Sequence, residues 1–348
     1  TGRGFELVCT PYHKVMTVYG WVEAGNLDKG SKVFINNNGR SQIDSVSTVI
    51  ETGLLEVYDL QEPTTHSFIA NGIVVHNCAE VPLEDGGACN LASVNLSRFV
   101  KNGYADEAGI DWEGIKETTA LAVRFLDNVV TWNELLNPLE KQRKAAYDTR
   151  RVGLGVMGIA DMLNQLGIGY DSEEGVKILE DSAKLFANTA YQASADLAEE
   201  KSPSPIFEYN AYSKGNFFNE VLTDETKELI RKKGLRNIAI LSIAPTGTIS
   251  NIVLGYKLGD KNFIGVSGGI EPVFALYYTR RSEGLSSGGS NMFFKIFHST
   301  VDAYIQQHNL TEEAQKCKDA EELKRILPAH FFRTAHLIDP SKRVVVQG

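Results

Sequence analysis

The sequence predicts a β-rich module over residues 1–77 followed by an α/β domain over residues 78–348. Three observations carry this. Residues 1–76 break into short strand-like runs punctuated by turn residues. From about residue 111 the chain carries long stretches with apolar positions three and four apart, the period of helices that bury one face. Between those stretches lie short, wholly apolar runs, which suit strands buried on both faces of a parallel sheet.

The strand-like runs are KVMTVYGWV, SKVFI, SQIDSVSTVI, LLEVYDL, HSFIA and IVVH, with NNNGR as a turn. Asn71-Gly72, between HSFIA and IVVH, tolerates the two positive φ angles of a type I′ turn, so a hairpin is predicted there. In the second part WEGIKETTALAVRFLDNVVTWNEL reads as an amphipathic helix, and Ser172 is placed to cap a second through VKILEDSAKLFANTAYQASADLAEE. NIAILSIA and RVVVQ are the predicted buried strands. RVGLGVMG has the spacing G-x-G-x-x-G, but no acidic residue on a second strand completes a dinucleotide fingerprint. It is read as helix-like, with its glycines serving close helix packing. No Pro, Ser or Gly linker marks the boundary near residue 77, unlike an ordinary domain fusion.

Composition narrows the functions. With 43% hydrophobic and 23% charged residues the chain can bury real cores. A net charge of −9 and a pI near 5.4 give no basic footprint for direct nucleic-acid binding. No run of eighteen apolar residues and no signal-like start is present, so no membrane contact and a cytoplasmic location are expected. Four cysteines are too few for a disulfide scaffold. Cys9 and Cys317 read as small buried hydrophobes, whereas Cys78 and Cys89 have contexts that point to reactivity.

Those contexts are ordered sets. Thr10 and His13 stand three apart at a strand end, and Asp59, His66, His76 and Asn77 close the first module directly before Cys78. An asparagine amide can attack its own carbonyl carbon and release the next residue when neighbouring groups protonate the leaving amine and polarise the carbonyl, which suits His76 and His66. Further on, Cys78 and Glu80 are two positions apart and so face one way on an extended segment. Cys89 follows eleven residues later in GGACNLASVNLSRF. Pro245-Thr246-Gly247-Thr248-Ile249-Ser250 comes after the apolar run NIAILSIA, where hydroxyls and free amides can hold a phosphate. Alone, PTGTIS reads equally as a turn and helix cap. No metal site is indicated.

The T-x-x-H block and the closing V-x-N-G-x-x-V-H-N before a cysteine resemble the Hint fold of inteins. The resemblance implies that Cys78 accepts an upstream segment as a thioester, that Asp59 assists proton transfer, and that Thr10 and His13 polarise an upstream scissile amide. Only nine residues precede Thr10, so an upstream splice junction is expected outside this chain. From Cys78 onward, C-x-E, C-N-L-x-S-x-N-L, RRVGLGVMGIADML, APTGTIS, GGIEPVFALYYTRR and LPAHFFRTAHLIDP stand in an order that resembles the ribonucleotide reductase large subunit. That resemblance implies a partial ten-stranded α/β barrel, incomplete at both ends. It implies that Cys78 carries a thiyl radical, Glu80 acts as base, Cys89 is half of a reducing dithiol, and residues 245–250 bind substrate phosphates. The style of the motifs is that of the adenosylcobalamin-dependent class; the alternative is a radical imported from a di-iron partner subunit. Expected partners are a ribonucleotide, di- or triphosphate being left open, nucleotide effectors bound by an upstream region, a thioredoxin-like reductant, and a second copy in a homodimer. The alternative for the whole chain is an autoprocessing Hint module on unrelated cargo. VLGYKLGDKNFI looks like an insertion relative to the reductases.

Overall fold

A computed structural model describes residues 1–9, 11, 13–37, 40–50, 53, 67–70, 73–76, 83, 86–282 and 292–347. The chain divides into two compact units, Thr1–Pro82 and Leu83–Gly348.

The first unit is a sheet built from β1 (Lys14–Thr17), β2 (Gly20–Glu23), β3 (Lys32–Asn37), β4 (Arg40–Ser45), β5 (Ser67–Ala70) and β6 (Ile73–His76). Its strands run in the order β2-β1-β3-β6-β5, with β4 paired to β3 and every pairing antiparallel. Alternation builds its core: Val15, Val33 and Ile35 point inward with Val46 and Ile73, and Phe5, Leu7, Ala24 and Leu27 pack around them. The predicted hairpin strands pair with Ala70 opposite Ile73. Asn71-Gly72 and the run LLEVYDL lie outside the described residues.

The second unit begins with β7 (Asn90–Asn95), β8 (Val100–Lys101), β9 (Gly109–Ile110), α1 (Trp112–Leu136), α2 (Glu140–Thr149), β10 (Val152–Met157), α3 (Ile159–Gln165) and α4 (Glu173–Lys201). It continues with α5 (Tyr209–Tyr212), α6 (Asn216–Glu220), α7 (Asp224–Lys233), β11 (Leu254–Leu258), β12 (Lys261–Ile264), β13 (Tyr277–Ser282) and β14 (Met292–Phe297). It closes with α8 (Ser299–Gln307), α9 (Thr311–Lys316), α10 (Ala320–Leu323) and α11 (Pro340–Gln347). Ser172 caps α4 by accepting from Gly175 N at 3.0 Å, as the sequence predicts, and Asp111 caps α1 by accepting from Gly114 N. Ile115, Val123, Leu126 and Val130 of α1 and Phe186, Ala190, Tyr191 and Leu197 of α4 enter one core with β10 and Ile240. Each large aliphatic side chain buried there contributes about 1.5–3 kcal/mol.

Two predictions are corrected. The glycine-rich RVGLGVMG is not helical; it supplies β10, buried at every position and parallel to β7 from Val152↔Asn90 to Met157↔Asn95. Arg150, at φ 45°, ends α2 in the left-handed region, and a strand buried on both faces loses the two-residue period that would have shown its type. RVVVQ is not a strand but the body of α11. Asp339 accepts from Ser341 N at 2.8 Å and Pro340 opens the helix, a start signal that outweighs the β-branched run. NIAILSIA runs extended beside β10: Val152 N donates to Ala239 O at 3.0 Å, Leu154 N to Ile240 O at 2.7 Å, and Ser242 N to Leu154 O at 3.0 Å. Its register with β10 is parallel, Leu154 against Leu241. Three parallel segments therefore lie side by side in a mixed α/β unit, and no closed barrel forms among the described residues. VLGYKLGDKNFI folds as the β11–β12 hairpin.

Candidate active site

The parallel segments position the candidate residues of the second unit. Cys89 stands immediately before β7 and is half-buried. A Cβ built on Gly153 of β10 would meet Cys89 Sγ at 3.0 Å and Ser242 Cβ at 3.1 Å. The thiol, the Leu91 side chain and the segment leading into PTGTIS thus all border a glycine that has no side chain of its own. Gly155, two residues on and facing the same way, lies against the carbonyl oxygen of Ser242 and has Ile243 Cα at 3.3 Å from its would-be Cβ. These two glycines lie inside the strand and serve close backbone approach, not helix packing and not a phosphate turn.

The PTGTIS loop follows at the C-terminal end of the extended segment. It leads into a single 3-10 turn, Ile249–Asn251, so a helix dipole contributes little. Among the described residues no partner is found for the amides of Gly247, Thr248 and Ile249, whose side chains or Cα are exposed. The hydroxyls divide into two kinds. Thr246 Oγ1 donates to Pro245 O at 2.7 Å and Ser250 Oγ to Gly247 O at 2.7 Å, so both protons are spent inside the loop and both residues are buried. Thr248 is the exposed hydroxyl. Thr246 sits at φ 57°, a conformation that costs a β-branched residue on the order of 1–3 kcal/mol.

Beneath this loop lies a buried polar group that sequence reasoning missed. Asp161 of α3, 2% exposed, accepts from Ser267 N at 3.2 Å. Burial pushes its carboxyl pKa up, partly opposed by the hydroxyl of Thr300, by His298 and by Ser267. Burial pushes the His298 imidazole down, opposed by Asp161 and the Ser267 backbone. Only the polar residue in the apolar run GVMGIADML could have signalled Asp161 in the sequence. Cys317, as predicted, is buried, with its pKa raised by burial; Cys9 is only half-buried.

Thr10, Asp59, His66, Asn77, Cys78 and Glu80 lie outside the described residues, as does the side chain of His76. His13 precedes β1, and its carbonyl accepts from Ala24 N at 2.7 Å. The β1–β6 pairing, Val15 opposite Val75, sets the N-terminal end of β1, next to His13, beside the C-terminal end of β6 at His76. Neither of two pockets among the described residues suits a corrin. An open groove of about 830 Å³ runs by Gln306, Asn309, Glu312 and Lys316, away from the candidate residues, and a pocket of about 110 Å³ by Arg98, Gln165 and Tyr256 is too small. No described helix is long and apolar enough to cross a membrane.

The second unit thus carries a thiol beside a glycine-bearing strand and a loop with exposed amides at the end of a parallel segment, and the comparison with known families makes that frame specific. Residues 15–347 match the family "Ribonucleotide reductase, barrel domain", and the chain belongs to that family. It is 37% identical over 207 residues to a vitamin B12-dependent ribonucleoside-diphosphate reductase of Mycobacterium tuberculosis (strain CDC 1551 / Oshkosh), covering 60% of this chain and 25% of that protein. The protein of the same description from Thermoplasma acidophilum is 32% identical over 311 residues, covering 88% of this chain and 36% of its own length. A ribonucleoside-diphosphate reductase subunit alpha of Chlamydia pneumoniae is 33% identical over 222 residues, 58% of this chain and 19% of that one. The chain therefore spans 36% or less of the length of these relatives. The Thermoplasma alignment is longer than residues 78–348, so that likeness extends into the first unit.

Proposed function

We propose that the second unit is part of the catalytic centre of a vitamin B12-dependent ribonucleotide reductase, supplying a reducing thiol and the loop that holds the substrate's phosphates. The observation that carries this is that Cys89 Sγ and Ser242, three residues ahead of Pro245, both border Gly153. A reductant and an anion-holding loop on neighbouring parallel segments can serve one small substrate. In this reading Cys78 as a thiyl radical removes the 3′ hydrogen atom of the ribose. Glu80 takes the 3′ hydroxyl proton as the 2′ hydroxyl, given a proton by the reducing dithiol, leaves as water. Cys89 and a second cysteine give up two electrons and close a disulfide, which a thioredoxin-like partner reopens. The substrate is a ribonucleoside diphosphate, the class in the relatives' names. Adenosylcobalamin would supply the radical when bound; the described residues offer no site for it, so no step here is routed through it. Homodimerisation, effector control and a cytoplasmic location belong to the same reading of the whole enzyme.

The test is a pair of substitutions in the full-length enzyme. Cys78→Ser is expected to abolish reduction and hydrogen exchange at C3′. Cys89→Ser is expected to keep C3′ exchange and lose multiple turnovers with a dithiol reductant. Normal turnover by both variants would move these roles to other residues.

For the first unit we propose the tail of an intein-type splicing module with a Hint fold. The β1–β6 register supports it, because it sets the T-x-x-H block beside the strand that ends in His76 and runs on to Asn77 and Cys78. In this reading Asn77 cyclises with help from His76 and His66, Asp59 assists Cys78, and Thr10 and His13 polarise the upstream amide.

A further inference from the structure

The phosphate loop does not stand by itself. The segment Gly265–Ile270 is bonded on one edge to the loop and on the other to the start of α3. Towards the loop, Gly265 N donates to Val253 O at 2.7 Å and Val266 N to Ser250 O at 2.9 Å. Towards α3, Gly158 N donates to Gly269 O at 2.5 Å and Ala160 N to Ile270 O at 3.1 Å. Side chains anchor the segment too: Ser299 Oγ donates to Gly265 O at 2.9 Å, and between the two sets of backbone bonds Ser267 N donates to Asp161 Oδ1 at 3.2 Å.

The strap also touches the strained residue directly. Gly269 lies against Thr246 Oγ1, and a Cβ on it would stand 2.6 Å from Pro245 O. Gly269 itself is at φ 102°, reachable without strain only by glycine. Thr246 can stay at φ 57° only while its surroundings hold it there. Those surroundings include this strap and the bond from Ser250 N to Thr246 O at 2.9 Å. Thr246 is followed by the three exposed residues whose amides find no partner among the described residues, while Ser250 Oγ and Asn251 Nδ2 both donate to Gly247 O.

We propose that Asp161 is a positioning residue for phosphate binding: by anchoring Ser267 it holds the Gly265–Ile270 strap, which keeps Thr246 in its left-handed conformation and the amides of Gly247 to Ile249 open to an anion. The proposal rests on the reading of residues 245–250 as the phosphate loop. What Asp161 supplies to the Ser267 amide is a buried acceptor. Burial disfavours its ionised form, and asparagine offers the same acceptor at nearly the same shape. An alanine offers none and leaves the Ser267 amide buried without a partner.

Titration of the whole chain with inorganic pyrophosphate and with cytidine diphosphate, followed by calorimetry, tests this. Asp161→Ala is expected to weaken binding of both at least tenfold, and Asp161→Asn to restore affinity to within about threefold of the parent. Should the alanine variant fail to fold, Gly269→Ala probes the strap from its other end. Its new methyl would press on Thr246 and Pro245, with the same loss of affinity expected. A parent chain that binds neither ligand overturns both the phosphate reading and this one. A parent that binds, with Asp161→Ala or a folded Gly269→Ala equally tight, overturns the role of Asp161 and leaves the phosphate reading standing. An asparagine variant as weak as the alanine one, at an unchanged melting temperature, also overturns it.

Discussion

Arg150 and Asp127 form an ion pair with side chains only 1% and 0% exposed, the Arg150 Nε donating to Asp127 Oδ1 at 2.8 Å. Arg150 also bonds the Asp127 carbonyl and Thr131 Oγ1, tying the end of α2 to the middle of α1. Asn237 Nδ2 reaches the same carboxylate at 3.3 Å and Arg236 Nε approaches at 3.4 Å, which fixes the start of the extended segment that leads to PTGTIS. One carboxylate is thus the counter-charge for two arginines. Asp127→Ala is expected to cost about 3–5 kcal/mol, because it leaves a buried guanidinium without its counter-charge. Urea unfolding of the parent and variant measures it; a loss below about 1 kcal/mol would mean that water or a rearranged side chain takes over.

His330 gives a pH signature. Burial pushes its imidazole down to about 4, only slightly opposed by the backbone at Asn164, and its Nε2 has no hydrogen-bond partner among the described residues. A folded-state pKa below the unfolded value near 6.5 contributes stability that is whole above pH 6.5 and is lost as the pH falls from there towards about 4. Partial exposure reduces the effect to on the order of 2 kcal/mol. His330→Gln should flatten the fall in stability across that window. Identical acid profiles for parent and variant would remove His330 from the account.

Local signals were legible where one residue decides the outcome. Ser172 at the start of α4 and the alternating Val33 and Ile35 of β3 do in the structure what their types suggest. The errors fall where packing decides. Gly153 and Gly155 carry no sign of whether a helix or a strand needs them, because what they admit is the Ser242 backbone and the Cys89 thiol, brought close only by the fold. RVVVQ looks like a strand until Asp339 and Pro340 are read as a helix start. Of the candidate site, the thiol and the loop were legible as motifs. The strap and Asp161 were not, since a hydrogen bond across 106 positions leaves no local pattern.

The first unit makes a chemical prediction of its own. If the closing residues of β6 and the two that follow act as a cyclising group, the purified chain should cleave slowly between Asn77 and Cys78, leaving a fragment that begins at Cys78. Asn77→Ala should stop cleavage, because no amide remains to attack. Mass spectrometry after long warm incubation reads both. An intact parent chain, or equal cleavage in the variant, would count against the splicing reading and leave the reductase reading untouched.

Gly247 separates binding from folding. A Cβ at this position meets nothing within 4 Å, its backbone is not in the left-handed region, and the residue is exposed, so Gly247→Val should leave stability nearly unchanged. The cost falls on the ligand. If the amides of 247 to 249 receive phosphate oxygens, a branched side chain at the first of them blocks the close approach that hydrogen bonds of about 2.9 Å require. Losing one charge-assisted bond of roughly 1.5–3 kcal/mol predicts a Michaelis constant raised about ten- to hundredfold in the full-length enzyme. The turnover number should change little, since the affected contact is made alike by bound substrate and transition state. A Michaelis constant within twofold of the parent, with the fold intact, would reduce residues 245–250 to an ordinary turn before a 3-10 helix.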